Sequence, residues 1–346
     1  MPARKRARLV LGAVSLGLLL AACGRGTPAA RPTITVTTTA RTSASPAATT
    51  APVPPAIVAV TTAGALVVLN PATGVVSRTL VAARVDGGEI SVSAAGVVYF
   101  AVRRGCSDEV ESVPAGGGSP SEIATGSLPA VSPDGTKVAY AVEPSERSGC
   151  YPSTGNPVPL YNLDIRSLAG GAFTDLPQVP ASQAASTLPA PISYLSWAAG
   201  GGQLAVSVSA FQDNEGWNLV LVDPRVARDY LTGPGTTAVP VTGQPDRQRS
   251  YLQEGVYLPD GDLFVSRACC GGVPVQNTSR LMWEVSTAGV LVHQVAIGFA
   301  SLAHTSLAVS RDGHWLLYLA GHDLYVSHDG ATPAKLTSGL SAAGWS

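Results

Sequence analysis

One tight turn recurs along this chain, and its spacing decides what the chain can fold into. The fullest copy is Val131-Ser132-Pro133-Asp134-Gly135. Proline presets φ at the second position of a type I turn, and a glycine at the fourth takes the left-handed conformation that closes a hairpin. After it, Lys137 to Glu143 alternates Val138, Tyr140 and Val142 with Ala139 and Ala141, so both faces of this strand are apolar and both are expected to be buried. Aligning on the residue that opens each turn finds Val92-Ser93-Ala94-Ala95-Gly96, Trp197-Ala198-Ala199-Gly200-Gly201, Tyr257-Leu258-Pro259-Asp260-Gly261, Val309-Ser310-Arg311-Asp312-Gly313 and a truncated Trp345-Ser346. The anchors lie 39, 66, 60, 52 and 36 residues apart. The shortest spacings are close to a four-stranded propeller blade of about 40–45 residues, and the longer ones require insertions. Asp134, Asp260 and Asp312 are tempting carboxylates, but their place in the turn assigns them to turn chemistry.

Within a unit four strands follow in order. In the last, A is Thr305 to Ser310, B is Trp315 to Ala320, C is Asp323 to Ser327 and D is Ala334 to Thr337, after the turn His328-Asp329-Gly330. An earlier unit repeats the order with Lys137 to Glu143, Leu160 to Arg166 and Phe173 to Leu176. At the start of the domain, Ile57 to Val60, Ala65 to Asn70 and Val75 to Leu80 read as strands B, C and D with no A strand before them; the chain finishes with Leu340 to Ser346, an A strand with nothing after it. The two halves make one blade. The fold expected is therefore all-β, a six-bladed β-propeller whose first blade is closed by the carboxy-terminal strand, which removes two exposed edges.

Apolar strand, Ser-Pro-Asp-Gly, apolar strand and a closing Leu-Thr, as in Ala334-Lys335-Leu336-Thr337, resembles the repeats of TolB-like and WD-repeat-like propellers over residues 56–346. Blades 3, 5 and 6 keep the Asp-Gly pair, whereas blades 2 and 4 lack the aspartate. Such folds host scaffolds, binding proteins, hydrolases and dehydrogenases, so the resemblance implies a shape and leaves the activity open.

The amino terminus sets the expected address. Arg4, Lys5, Arg6 and Arg8 precede an apolar segment from Leu9 to Leu20 that is too short for an ordinary membrane span, the pattern of an export signal. It ends in Leu20-Ala21-Ala22-Cys23, which resembles a bacterial lipobox. The resemblance implies cleavage after residue 22, palmitate-type acylation at Cys23, and anchoring on the extracytoplasmic face of the cell membrane, where two or three acyl chains give a stable hold. Residues 23–55 are rich in Thr, Ala, Pro and Ser and hold no aromatic residue, so they read as a disordered tether between the lipid and the domain at 56–346. Lysine occurs only at positions 5, 137 and 335 while arginine is common, a codon-usage mark of a high-GC, actinobacterial-type bacterium.

Charged residues make up 13% of the chain and the formal net charge is −1, which argues against a nucleic-acid binder with its concentrated basic face. No P-loop, dinucleotide glycine fingerprint, Gly-x-Ser-x-Gly elbow or His-Glu-x-x-His occurs, so no cofactor is expected. Cys106, Cys150, Cys269 and Cys270 all fall between strands B and C, on one face of the ring, and export places them where disulfides form. Four cysteines allow three connectivities; blades 2 and 3 are neighbours, so a Cys106 to Cys150 bridge can form between their loops, whereas blades 2 and 5 lie across the ring, which would leave Cys269 and Cys270 as a vicinal pair. A metal site is disfavoured, because no histidine lies near these cysteines in sequence and zinc spacings are absent.

Propeller ligands sit at the mouth of the central channel. Three residues before the anchors stand Glu89, Leu128, Tyr194, Glu254, Ser306 and Ala342, and His304 stands five before the anchor of blade 6. Glu89, Tyr194, Glu254 and His304 are the candidate ligand-binding residues. His314, His322 and His328 gather near one another in blade 6 as surface residues. The first functional expectation is a monomeric binding or scaffold module for an envelope protein, glycan or small ligand, with insertions at 143–160, 177–191 and 224–238 as variable loops. The alternatives are a propeller hydrolase or lyase using Glu89, Glu254 and His304, and an extracytoplasmic sensor module.

Overall fold

The computed structural model describes residues 54–346 except 87, 89, 106, 143–161, 171–172, 178–191, 210–216, 228, 230, 232, 240–249, 270–280 and 297–305, and gives backbone alone for strand residues 209, 217–218, 250–254, 266–269, 281–282 and 293–296. Among the described residues every regular element is a strand, and no helix is long and apolar enough to cross a membrane.

Strands β1 (Ile57–Thr61), β2 (Leu66–Leu69) and β3 (Val76–Val81) belong to blade 1. Blade 2 is β4 (Ser91–Val92), β5 (Val97–Arg104), β6 (Ser107–Pro114) and β7 (Ser121–Thr125). Blade 3 is β8 (Ser127–Val131), β9 (Lys137–Val142), β10 (Asn162–Ser167) and β11 (Phe173–Leu176). Blade 4 is β12 (Ile192–Trp197), β13 (Leu204–Ser209), β14 (Trp217–Val222) and β15 (Thr236–Ala238). Blade 5 is β16 (Ser250–Tyr257), β17 (Leu263–Cys269), β18 (Leu281–Val285) and β19 (Leu291–Ala296). Blade 6 is β20 (Leu307–Val309), β21 (Trp315–Ala320), β22 (Asp323–His328) and β23 (Ala334–Ser338), and β24 (Leu340–Trp345) returns to blade 1. These are six four-stranded antiparallel sheets, one of them ordered β24-β1-β2-β3, and together they form a six-bladed propeller closed as the termini require.

The recurring turn is visible in the backbone. Gly96, Gly135, Gly201, Gly261 and Gly313, the fifth residue of each complete turn, all have φ between 65° and 97°. In blade 3 the Gly135 N–H donates to the Ser132 carbonyl at 2.8 Å, and Val138 to Val142 on the strand that follows are all buried. Strand limits shift by a residue or two from expectation. Asn70 leaves β2 because its Oδ1 accepts the N–H groups of Ala72 and Thr73, an Asx turn that competes with the ladder. Blade 6 begins its A strand at Leu307, so Ser306 precedes it.

Packing explains why the ring holds. Six apolar clusters are resolved, and each occupies one seam between neighbouring blades. Leu195 and Leu204 of blade 4 meet Leu163 and Leu176 of blade 3; Leu219 and Leu221 of blade 4 meet Trp283 and Val265 of blade 5. Val58 and Leu66 meet Phe100 and Val113 between blades 1 and 2, and Tyr99 meets Tyr140 between blades 2 and 3. Val256 and Phe264 meet Leu307 and Tyr318 between blades 5 and 6. The seam formed by the chain ends is a full member: Ile57, Leu69 and Leu340 pack on Leu317, Leu319 and Leu324. Each such fully buried side chain contributes about 1.5–3 kcal/mol, so every seam is a substantial fraction of domain stability.

Candidate functional site

Six A strands line the central channel, and hydrogen bonds tie neighbouring ones together at a single height, the turn anchors and the residues just before them. The Val131 N–H donates to Ser91 Oγ (2.9 Å), joining blades 3 and 2. Trp197 Nε1 donates to the Ala130 carbonyl (2.9 Å), joining 4 and 3. The Tyr257 N–H donates to Ser196 Oγ (3.1 Å), joining 5 and 4, and Trp345 Nε1 donates to the Ala308 carbonyl (3.1 Å), joining 1 and 6. Blades 4 and 1 thus use an anchor tryptophan, while blades 3 and 5 use the anchor's own amide against a serine one position before the preceding anchor.

Above this girdle lies a cavity of about 830 Å³, walled by the later residues of the A strands and by the A-to-B turns. Ser91, Ser93, Ser196 and Ser310 line it together with the aromatic residues Tyr194, Trp197, Tyr257 and Trp345. Among the described lining residues the charged side chains are Arg311 and Asp312, one of each sign. Tyr257 Oη donates to Gln203 Oε1 (2.7 Å), and burial pushes its phenol well above the ordinary tyrosine range, so it stays neutral.

Expectation placed the site at the starts of the A strands, on the B-to-C face. Among the described residues the cavity lies on the other face, with the A-to-B turns, while most of the residues expected at the B-to-C mouth lie outside the described residues. Of the four candidate residues, Tyr194 lines the cavity. Its hydroxyl is bonded to the Leu307 carbonyl, so the side chain reaches from blade 4 to blade 6 and narrows the channel beneath the cavity. Glu89 and His304 lie outside the described residues, and Glu254 is described by its backbone in β16 alone. Cys23, Cys106, Cys150 and Cys270 also lie outside the described residues, and Cys269 contributes only the backbone end of β17. Ser196, Trp197, Tyr257 and Trp345 were missed as site residues, although the turn alignment had already singled out their shared register.

A second concavity, of about 610 Å³, opens between blades 5 and 6 and shares Leu258, Pro259, Val309 and Asp312 with the channel cavity. Strand register builds its walls. Tyr318 pairs with Tyr325 and Leu316 with Ser327, so these four stand on one face of blade 6. The two tyrosine rings stack at 5.3 Å with an interplanar angle of 7°. On blade 5, Glu284 pairs directly with Phe264, and Asp262 stands two residues before Phe264, on the same side of the chain. Asp260 lies in the turn, its Oδ1 accepting the Asp262 N–H at 3.1 Å. The carboxylate oxygens of Asp260, Asp262 and Glu284 come within 4.8 Å of one another.

The turn aspartates behave as turn chemistry requires. Asp134 accepts from Ser132 Oγ (2.5 Å) and from the N–H (3.0 Å) and hydroxyl (2.8 Å) of Thr136, which lower its pKa to about 2. Asp312 accepts from Ser310 Oγ and the His314 N–H, and its pKa is lowered for the same reason. The expected trio of histidines is corrected to a pair. His314 and His328 rings lie 6.1 Å apart beside Asp329, whereas His322 sits in the hairpin at the other end of the same two strands, its Nδ1 2.9 Å from the Leu340 carbonyl. Six residues of extended strand separate the two places.

No protein-family model matches this sequence, and no curated protein matches it. Solved structures do. TolB from Acinetobacter baumannii aligns over 84% of this chain at 11% identity with a TM-score of 0.54; this chain spans 65% of that one. A chain of a nidogen/laminin complex aligns over 84% of this chain and 97% of its own length at 8% identity, TM-score 0.53. At such identities the likeness establishes the propeller fold, TolB-like in arrangement, and nothing finer.

Proposed function

We propose that this propeller is the binding module of an exported lipoprotein, held at the extracytoplasmic face of the cell membrane by acylated Cys23 and a tether over residues 24–55, and that it receives an envelope protein segment, a glycan or a small ligand in the channel cavity on its A-to-B turn face. The observation that carries this reading is the girdle. Interblade hydrogen bonds at four seams set the wall of an 830 Å³ cavity before any ligand arrives, and a preformed concave site loses little on binding. Hydroxyls and aromatic rings with balanced charge favour a neutral or zwitterionic group over a phosphate or a polyanion. The fold neighbours fit: one of them, from the nidogen/laminin complex, is a propeller-like chain in a protein–protein assembly.

Ala199 is exposed and lines the cavity mouth within a turn, so Ala199→Trp obstructs the mouth and leaves the girdle intact. Peptidoglycan fragments and envelope-protein extracts are passed over the immobilised mature protein. A ligand retained by the wild type and not by Ala199→Trp supports the reading; equal retention by both overturns it. Separately, growth on an alkynyl palmitate analogue should label the wild type and leave Cys23→Ser unlabelled and released from the membrane.

A further inference from the structure

We propose that the groove between blades 5 and 6 is a second binding site, adjoining the channel cavity, for a small organic cation: an amine or quaternary ammonium carried on a flat or apolar body. Its volume of about 610 Å³ falls in the range of small-molecule sites, roughly 300–1,000 Å³, and is too small for a folded partner. Its two walls differ in chemistry. Blade 6 supplies an apolar and aromatic surface of Leu316 and the stacked Tyr318 and Tyr325. Blade 5 supplies Phe264 and, beside it, Asp260 and Glu284 with Asp262 within 4.8 Å. A ligand with a flat body against the rings and a cationic head toward the carboxylates satisfies both walls at once.

Charge sets the sign of the ligand. Among the described lining residues the one basic side chain is His314, and its Nδ1 is already 2.7 Å from Asp329. Asp312 is taken up by Ser310 and the His314 amide in its own turn. Asp260, exposed at the rim of the groove with Asp262 beside it, is therefore the charge that faces an incoming ligand, while Glu284 already has an interaction of its own; Tyr325, the more exposed of the two stacked rings, adds attraction for a cation lying within about 6 Å of it. A bare divalent metal suits the site less well. Calcium takes about six to eight oxygen ligands, and a trio of carboxylates, one already accepting the Asp262 amide, leaves that shell incomplete and leaves the aromatic wall without a role.

The probe is 2-phenylethylamine, titrated calorimetrically into the full mature chain, with 2-phenylethanol as its uncharged counterpart. The amine should bind saturably and about tenfold tighter than the alcohol, and should weaken about threefold as salt is raised. Asp260→Asn, at an exposed position, should lose most of the preference for the amine without altering the fold, and Tyr325→Leu should weaken both probes. Ala199→Trp, which obstructs the channel mouth, should change nothing, so failure of this site and failure of the channel reading are separable. The proposal is overturned by equal binding of amine and alcohol, by an Asp260→Asn variant that keeps the preference, by loss of the amine in Ala199→Trp, or by calcium chloride binding with no amine binding at all.

Discussion

Truncating Leu340 tests whether the two ends of the chain truly form one blade. Leu340 opens β24, three per cent exposed, and packs with Ile57, Ala59, Leu317, Leu319 and Leu324 at the seam of blades 6 and 1. Its N–H donates to the His322 carbonyl at 3.2 Å, and Cα register pairs it with Thr61. Leu340→Ala removes three buried carbons and leaves a void in a seam walled on both sides, for which about 3–4 kcal/mol is expected. Unfolding a domain of roughly 290 residues releases about 0.6 kcal/mol per kelvin, so the melting temperature should fall by about 5–7 °C. Leu324→Ala, fully buried in the same cluster, should cost a similar amount. Val76→Ala, half exposed on the outer strand of the same blade, should cost under about 0.5 kcal/mol and move the midpoint by less than about a degree. Urea unfolding of the three variants by circular dichroism, with m unchanged, gives the comparison. Were the chain end lying free of blade 1, Leu340→Ala would behave like Val76→Ala while Leu324→Ala kept its full loss. That result would refute the closure.

Three further outcomes follow from the hydrogen bonds. Trp197→Phe keeps most of the apolar surface but deprives the Ala130 carbonyl of its indole donor at the seam of blades 3 and 4; a loss of about 1–3 kcal/mol in equilibrium unfolding is expected, and none would mean the girdle is incidental. His314 should titrate above its ordinary value because Asp329 hydrogen-bonds its protonated ring, and Asp329→Asn should bring it back. The sign follows from the raised pKa: any stabilisation is complete below the unfolded value of about 6.5 and is lost as pH rises through the folded one, which proton NMR of the ring follows directly. Asp134 has the opposite sign. Its pKa is lowered to about 2, so its contribution is complete above about 3.9 and fades as pH falls toward 2; Ser132→Ala, which removes the largest cause, should raise the midpoint seen by carboxyl carbon NMR.

The architecture was legible because it rests on local chemistry repeated in register. Pro133 and Gly135 announce a turn from within four residues, Val138 to Val142 announce a strand buried on both faces, and five more copies at workable spacings fix the number of blades. The closure was legible for a different reason: strands without an A strand at one end and an A strand without a blade at the other are each unstable alone, and exposed edges are costly. Errors were confined to strand ends, where a side chain such as Asn70 competes with the ladder for backbone amides. The site was harder to see because its residues belong to different blades. Nothing near Ser196 reveals that it accepts the amide of Tyr257, 61 residues onward, and nothing near Glu284 reveals that Asp260 stands beside it.

The repeat nevertheless held an unread clue to the site. Trp197 and Trp345 share the anchor register, and equal register in a closed ring means equal height on the channel wall. A tryptophan at that height meets a carbonyl of the preceding blade, as both indoles do, at Ala130 and Ala308, whereas the Tyr257 hydroxyl at the same register donates to Gln203 Oε1. A serine one position earlier meets the amide of the following blade, as Ser91 and Ser196 do. Anchor and pre-anchor positions of a propeller sequence therefore report on seam bonding before any coordinates exist. Blade 5 alone follows its Asp-Gly pair, Asp260-Gly261, with a second aspartate, Asp262, and there, among the described residues, three carboxylates gather. Of this trio Asp260 and Glu284 line the groove between blades 5 and 6, which is why that groove, rather than the turn itself, is the place to test for a ligand.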